Sequence, residues 1–145
     1  MRPKRESIVT LYTQSPPENT VCCADELGPV SPRTFPPALG WSPDGHRLKA
    51  PLDYGRGPDK VWGFGALRVH DGQAVTCTAP SRHTASYRQL LDALDAANPS
   101  GALYVITDNL ASHKSPPIQE RLATHPRVQQ VFIPKGASWL NLQEA

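Results

Sequence analysis

The stretch Ala102-Leu103-Tyr104-Val105-Ile106-Thr107 constrains the fold most, because it is apolar without alternating and is cut off at once by Asp108 and Asn109. A strand with one wet face alternates apolar and polar side chains, whereas a central parallel strand, covered on both faces, reads as an unbroken apolar run. The chain is therefore expected to be α/β, with helices on the faces of a sheet. At 145 residues it has the length of one domain with a single sizeable core.

The other elements fit that frame. Residues 5–14 place Ile8, Leu11 and Tyr12 at helical spacing until Pro16 and Pro17 end the helix. Residues 20–24, TVCCA, read as a buried strand ending at Asp25 and Glu26. Residues 27–60 hold seven prolines and five glycines, more punctuation than a helix or central strand tolerates, and read as a long ordered arm. From 61 to 79, two strand-like runs flank Asp71-Gly72, which suits a two-residue type I′ hairpin turn. Residues 84–97 put Tyr87, Leu90, Leu91 and Leu94 on one helical stripe, with Gly101 available for the turn beyond. Ser115 with Pro116 and Pro117 starts a short helix carrying Ile118 and Leu122, and 128–133 is a further strand. A last helix is predicted from Ser138, with Trp139 as its apolar anchor and Trp41 as a plug for the arm, stacking on a nucleobase being the alternative for both. The order is that of a mixed sheet flanked by helices.

Composition excludes several classes. No apolar run approaches the roughly 20 residues of a membrane span, and the basic N-terminus lacks the apolar stretch of a secretory signal, so a cytoplasmic location and no membrane partner are expected. Cys22, Cys23 and Cys77 have no C-x-x-C spacing and predict neither a disulfide framework nor a zinc site. The net charge of +2 is spread evenly, with eight basic against seven acidic residues up to residue 60 and seven against six beyond it. It permits nucleic-acid binding without arguing for it.

In open α/β sheets, sites gather beyond the C-terminal ends of the parallel strands, where Asp25 and Asp108 are expected. Neighbouring strands lie about 4.8 Å apart, so carboxylates at two adjacent ends reach one metal ion. Glu144 follows on the last helix, with Asn141 and Leu140 on its face. Oxygen-only donors suit Mg²⁺ or Mn²⁺, and a pair of such ions suits phosphodiester cleavage. Taken singly, each acid reads as a turn or cap residue; their conjunction points to chemistry. His113 is either a loop histidine or a neighbour of the metal site, and Lys114 is a solvated cation or a phosphate contact. Ser112 and Ser115 lie near His113, but a Ser/His nucleophile lacks an evident orienting acid and oxyanion hole. The absence of G-x-G-x-x-G or a P-loop sets a small-molecule nucleotide enzyme far behind.

Four segments in order carry a resemblance: VCCADELGP, GWSPDG, YVITDNLASHKS and PKGASWLNLQEA. Together they resemble the DDE-superfamily transposases of bacterial insertion sequences, the branch related to mariner elements. The resemblance implies a ribonuclease-H-like fold, with residues 1–19 as an N-terminal helix or leader and 20–145 as the catalytic domain. It implies Asp25, Asp108 and Glu144 as catalytic acids and metal ligands, Asn109, His113 and Asn141 as their neighbours, and two Mg²⁺ or Mn²⁺ ions. Lys114 and Lys135 are the expected DNA contacts, and transposon ends and target are the expected DNA, with a second copy or a partner transposase fragment as companion. No helix-turn-helix module is expected before residue 20, and the chain is expected to be truncated one residue after Glu144, with that last helix frayed. Two outcomes stand side by side: a DNA-cutting and strand-transferring domain, or a remnant that binds DNA or a full-length transposase without cutting.

Overall fold

The structure, a computed structural model, describes residues 2–31, 33–34, 43–45, 55–56 and 59–144. Helix α1 (Arg2–Gln14) leads into β1 (Thr20–Val30), followed by the short strands β2 (Arg33–Thr34) and β3 (Gly55–Arg56). The hairpin β4 (Val61–Arg68) and β5 (Ala74–Ala79) precedes α2 (Thr84–Ala97), β6 (Leu103–Thr107), α3 (Pro116–Thr124) and β7 (Val128–Phe132). The main sheet has the order β5-β4-β1-β6-β7. Strands β1, β6 and β7 are mutually parallel, while β4 runs against both β1 and β5. The apolar run at 102–107 thus lies between two parallel neighbours, and Leu103, Val105 and Ile106 are fully buried.

Strand alternation splits the core into two layers. Cys22, Ala24, Phe64, Leu103 and Val105 face Tyr87, Leu90, Leu91 and Leu94 of α2 and Ile118 of α3. On the other face Val21, Cys23 and Ile106 meet Ile8 of α1, Ile133 and Leu140. Each fully buried leucine or isoleucine contributes about 1.5–3 kcal/mol relative to exposure, so α1 is part of the fold through Ile8, which is completely enclosed.

The structure corrects four expectations. First, β1 runs on to Val30 instead of stopping before Asp25, because β4 continues to pair with it from Cys22↔Arg68 through Leu27↔Gly63. Second, the Asp71-Gly72 hairpin has a five-residue connection, not a two-residue turn. The Val69 N–H leaves the hairpin to bond the Val21 carbonyl at 2.9 Å, and the Arg68 guanidinium closes the loop on Asp71 at 2.6 Å. Third, Ser138 begins a single 3-10 turn, Ser138–Leu140, rather than an α-helix. Fourth, Leu140 and not Trp139 anchors that segment: Leu140 is buried, while Trp139 is 59% exposed beneath the Arg5 guanidinium. The first half of GWSPDG, with Trp41, and most of the proline-rich arm lie outside the described residues; β2 and β3 pair as Arg33↔Arg56 and Thr34↔Gly55.

Candidate active site

Asp25 is a mid-strand residue, paired across the sheet with Gly65 of β4. The pairing of β1 with β6, however, ends at Cys23↔Ile106. Past that point the two strands part, and Asp25 and Asp108 stand beside the gap, the position that an open sheet offers to a ligand. The Asp25 carboxylate accepts the Glu26 N–H at 2.8 Å. Its pKa is raised, first by burial and then by the nearby negative charges of Glu144, Glu26 and Asp108, against the lowering by that hydrogen bond. A carboxylate beside other negative charges holds its proton more tightly, so the shift at Asp25 reports those acids as its neighbours.

Asp108 follows the last residue of β6 and accepts the Leu110 N–H at 3.1 Å, an Asx turn that takes the chain off the sheet. Asn109 donates to the Ile133 carbonyl beyond β7 and accepts from Lys114 Nζ at 2.7 Å. It ties the two strand ends together, and Lys114, also 4.6 Å above the Phe132 ring, is held there rather than free in solvent. Lys135 is exposed. It lines, with Asp108, Asn109, Ser138 and Glu144, a cleft of about 320 Å³. A second, larger cleft of about 580 Å³ includes Asp25, Gly63, Gly65, Thr76, Gln143 and again Glu144. Glu144 therefore forms part of the wall of both.

The segment carrying Glu144 is fixed by Asn141, which is fully buried. Its side-chain amide donates to the Ala24 carbonyl at 3.0 Å and its oxygen accepts the Gln143 N–H at 3.2 Å. The Glu144 N–H closes a turn on the Asn141 carbonyl at 3.0 Å. From the opposite side, the Tyr12 hydroxyl donates to the Leu140 carbonyl at 2.5 Å. Glu144 itself remains exposed.

His113, one turn past Asp108, is 1% exposed and lies between two acids. Its Nδ1 is 3.0 Å from Asp108 Oδ1, and its Nε2 is 2.6 Å from Glu26 Oε1. Tyr87 of α2 stacks on the ring with centroids 3.8 Å apart. Sequence reasoning assigned no role to Glu26 or to Tyr87 here. The signal was present in strand alternation: Cys22, Ala24 and Glu26 share the face that α2 covers, and an acid on a covered face requires a partner.

Asp25, Asp108 and Glu144, the three acids expected from sequence, are thus electrostatic neighbours, with Asn109, His113 and Asn141 each bonded into the elements that carry them. Among the described residues, no three His, Cys, Asp or Glu side chains are grouped closely enough to enclose a metal ion. The donor set is all oxygen, which fits a hard divalent cation that retains water and takes a few carboxylates, not a closed protein cage.

Residues 20–145 match the family model described as DDE superfamily endonuclease. No curated protein matches. Among solved structures, a chain of the simian T-cell lymphotropic virus intasome in complex with PP2A regulatory subunit B56 gamma, seen by cryo-EM, aligns with a TM-score of 0.55. The identity is 11%, over 86% of this chain and 35% of that one. The Mos1 transposase paired-end complex with left transposon end aligns with a TM-score of 0.50 and 15% identity, over 89% of this chain and 40% of that one. This chain therefore spans two fifths or less of the chains it matches. At these identities the likeness concerns the fold, which is the expected ribonuclease-H-like mixed sheet flanked by helices. With the family model extending from the first residue of β1 through all three acids, the chain belongs to the DDE superfamily endonucleases.

Proposed function

We propose that this is the catalytic domain of a transposase, of the mariner-related branch found in bacterial insertion sequences, which cuts DNA at an element's ends and joins the freed end to a target. The observation that carries the reading is geometric: beside the point where β1 and β6 part, Glu144 lines one cleft with Asp25 and another with Asp108. Asp25, Asp108 and Glu144 would hold Mg²⁺ or Mn²⁺, two ions in the working complex. When bound, such ions supply Lewis acidity at the phosphodiester and a readily ionised water.

The chain's own residues orient and neutralise. Asn109 fixes the loop that follows Asp108, and Asn141 fixes the turn that leads to Glu144. Lys135 at the rim of the smaller cleft gives a phosphate a counter-charge, and Lys114, held by Asn109, adds to it from the adjacent loop. The Mos1 paired-end complex, which holds a transposon end, supports DNA as the partner, with a second copy or a companion transposase chain completing the assembly.

A second reading, a domain that binds DNA or a full-length transposase without cutting, is favoured by one observation: Glu144 sits exposed on a turn instead of on a helix. Calorimetric Mn²⁺ titration separates the two. Binding that weakens at least about tenfold, roughly 1.4 kcal/mol, in both Asp25→Asn and Asp108→Asn, together with Mn²⁺-dependent nicking of supercoiled DNA that both variants lose, is the expected result. A folded wild-type chain that binds DNA but no Mn²⁺ would establish the second reading.

A further inference from the structure

Every edge of the His113 ring that carries a nitrogen is taken. Nε2 faces Glu26 Oε1 at 2.6 Å, and Nδ1 faces Asp108 Oδ1 at 3.0 Å and Thr107 Oγ1 at 3.1 Å. Tyr87 covers a ring face with an interplanar angle of 29°. The side chains of His113 and Glu26 are 1% and 4% exposed, that of Asp108 32%. The buried end of this chain of contacts is rigid, since Glu26 lies within the β1–β4 pairing opposite Phe64. Its open end lies at residues 108–110, which belong to neither helix nor strand. Apart from His113, the only hydrogen bond that the Asp108 carboxylate makes among the described residues is the one from the Leu110 N–H.

We propose that Glu26 is a positioning residue for the chemistry at Asp108: from the core face of β1 it fixes the His113 ring, and the ring fixes the Asp108 carboxylate at the rim of the cleft. The proposal rests on the reading of Asp108 as a working acid and extends it to two buried side chains. Consecutive residues of β1 then serve one site from opposite faces, Asp25 directly and Glu26 through the imidazole. The groups that orient a metal's carboxylate and histidine ligands typically change metal affinity or activity by about 10- to 100-fold when removed. The bland alternative is that Glu26 and His113 only satisfy each other in the core. Breaking that pair would lower stability through an unpaired buried group but would leave the Asp108 carboxylate where it is.

The test uses the full chain with chelator present and reads the Asp108 side-chain carboxyl by ¹³C NMR, its resonance identified by its loss in Asp108→Asn. In Glu26→Ala the resonance is expected to move toward the position of an exposed aspartate, and Glu26→Gln, which keeps an oxygen facing Nε2, is expected to recover at least about half of that shift. A folded Glu26→Ala whose Asp108 resonance stays in place overturns the proposal. If Glu26→Ala does not fold, His113→Gln decides: it reaches toward Glu26 but has no group at the Nδ1 position, so an unmoved Asp108 resonance overturns the proposal there too. In Mn²⁺ titrations of the same variants, Glu26→Ala is expected to bind about 10- to 100-fold more weakly. A wild-type chain without Mn²⁺ affinity would defeat the functional reading, and the carboxyl spectra would still decide the link between Glu26 and Asp108.

Discussion

Asp25 is the residue at which the electrostatics of the site become measurable. Its pKa is raised by burial and by three neighbouring carboxylates. Between the ordinary aspartate value, about 3.9, and that raised value, the folded chain keeps a proton that the unfolded chain has released. Stability attributable to Asp25 is therefore lost as pH rises through this window. Asp25→Asn cannot ionise, so its melting temperature in chelator is expected to gain on the wild type as pH rises through the window and to keep the gain above it. A difference that stays flat with pH would show that the carboxyl is not perturbed. Single residues were legible in the sequence where chemistry breaks a pattern, as where Asp108 and Asn109 end an apolar run; His113, buried in the structure, read equally well as a surface loop histidine or as a neighbour of the site. Glu26 was not legible, because beside Asp25 it reads as one more acid at a strand end until the strand is known to continue and to bury that face.

Among the elements, those set by periodicity match the expectation closely, as in α2 over Thr84–Ala97 and β6 over Leu103–Thr107. Those that depended on a partner's length or on side-chain traffic differ: β1 was extended by β4, the hairpin loop was widened by Val69, and the last segment was held as a turn by Asn141 and Tyr12. None of these causes is local, so no window of sequence contains them. Gly101 marks a junction where local and distant demands coincide. It adopts φ +72°, and a Cβ placed there would lie 1.8 Å from the Glu18 carbonyl oxygen. The same junction carries the Thr20 N–H to Ala102 carbonyl bond at 2.8 Å, which sets the register of β1 on β6. Gly101→Ala is expected to cost at least about 1–3 kcal/mol, since both the backbone conformation and the contact are refused. A chemical-denaturation midpoint within error of wild type would contradict the close approach.

The molecule as a whole presents two buried layers with the site at one end of the sheet between them. Cys22 and Cys23, consecutive on β1, enter opposite layers, and burial pushes the Cys22 thiol up to about 12 and raises that of Cys23. Cys77 is half-buried at the larger cleft. In the native state a thiol reagent at pH 8 is expected to modify Cys77 and to leave the other two intact, with all three reacting in denaturant. Fast native modification of Cys22 or Cys23 would mean that a layer is open. The hydrogen bond from Tyr12 to Leu140 joins residues 128 positions apart, and Asn141 reaches the Ala24 carbonyl across 117. During synthesis at about 5–20 residues per second, the segment around Tyr12 therefore waits many seconds for its partner to leave the ribosome. Until it does, the β1 acid has no companion turn, and a nascent chain interrupted before residue 140 carries Asp25 and Asp108 without the wall on which Glu144 is mounted.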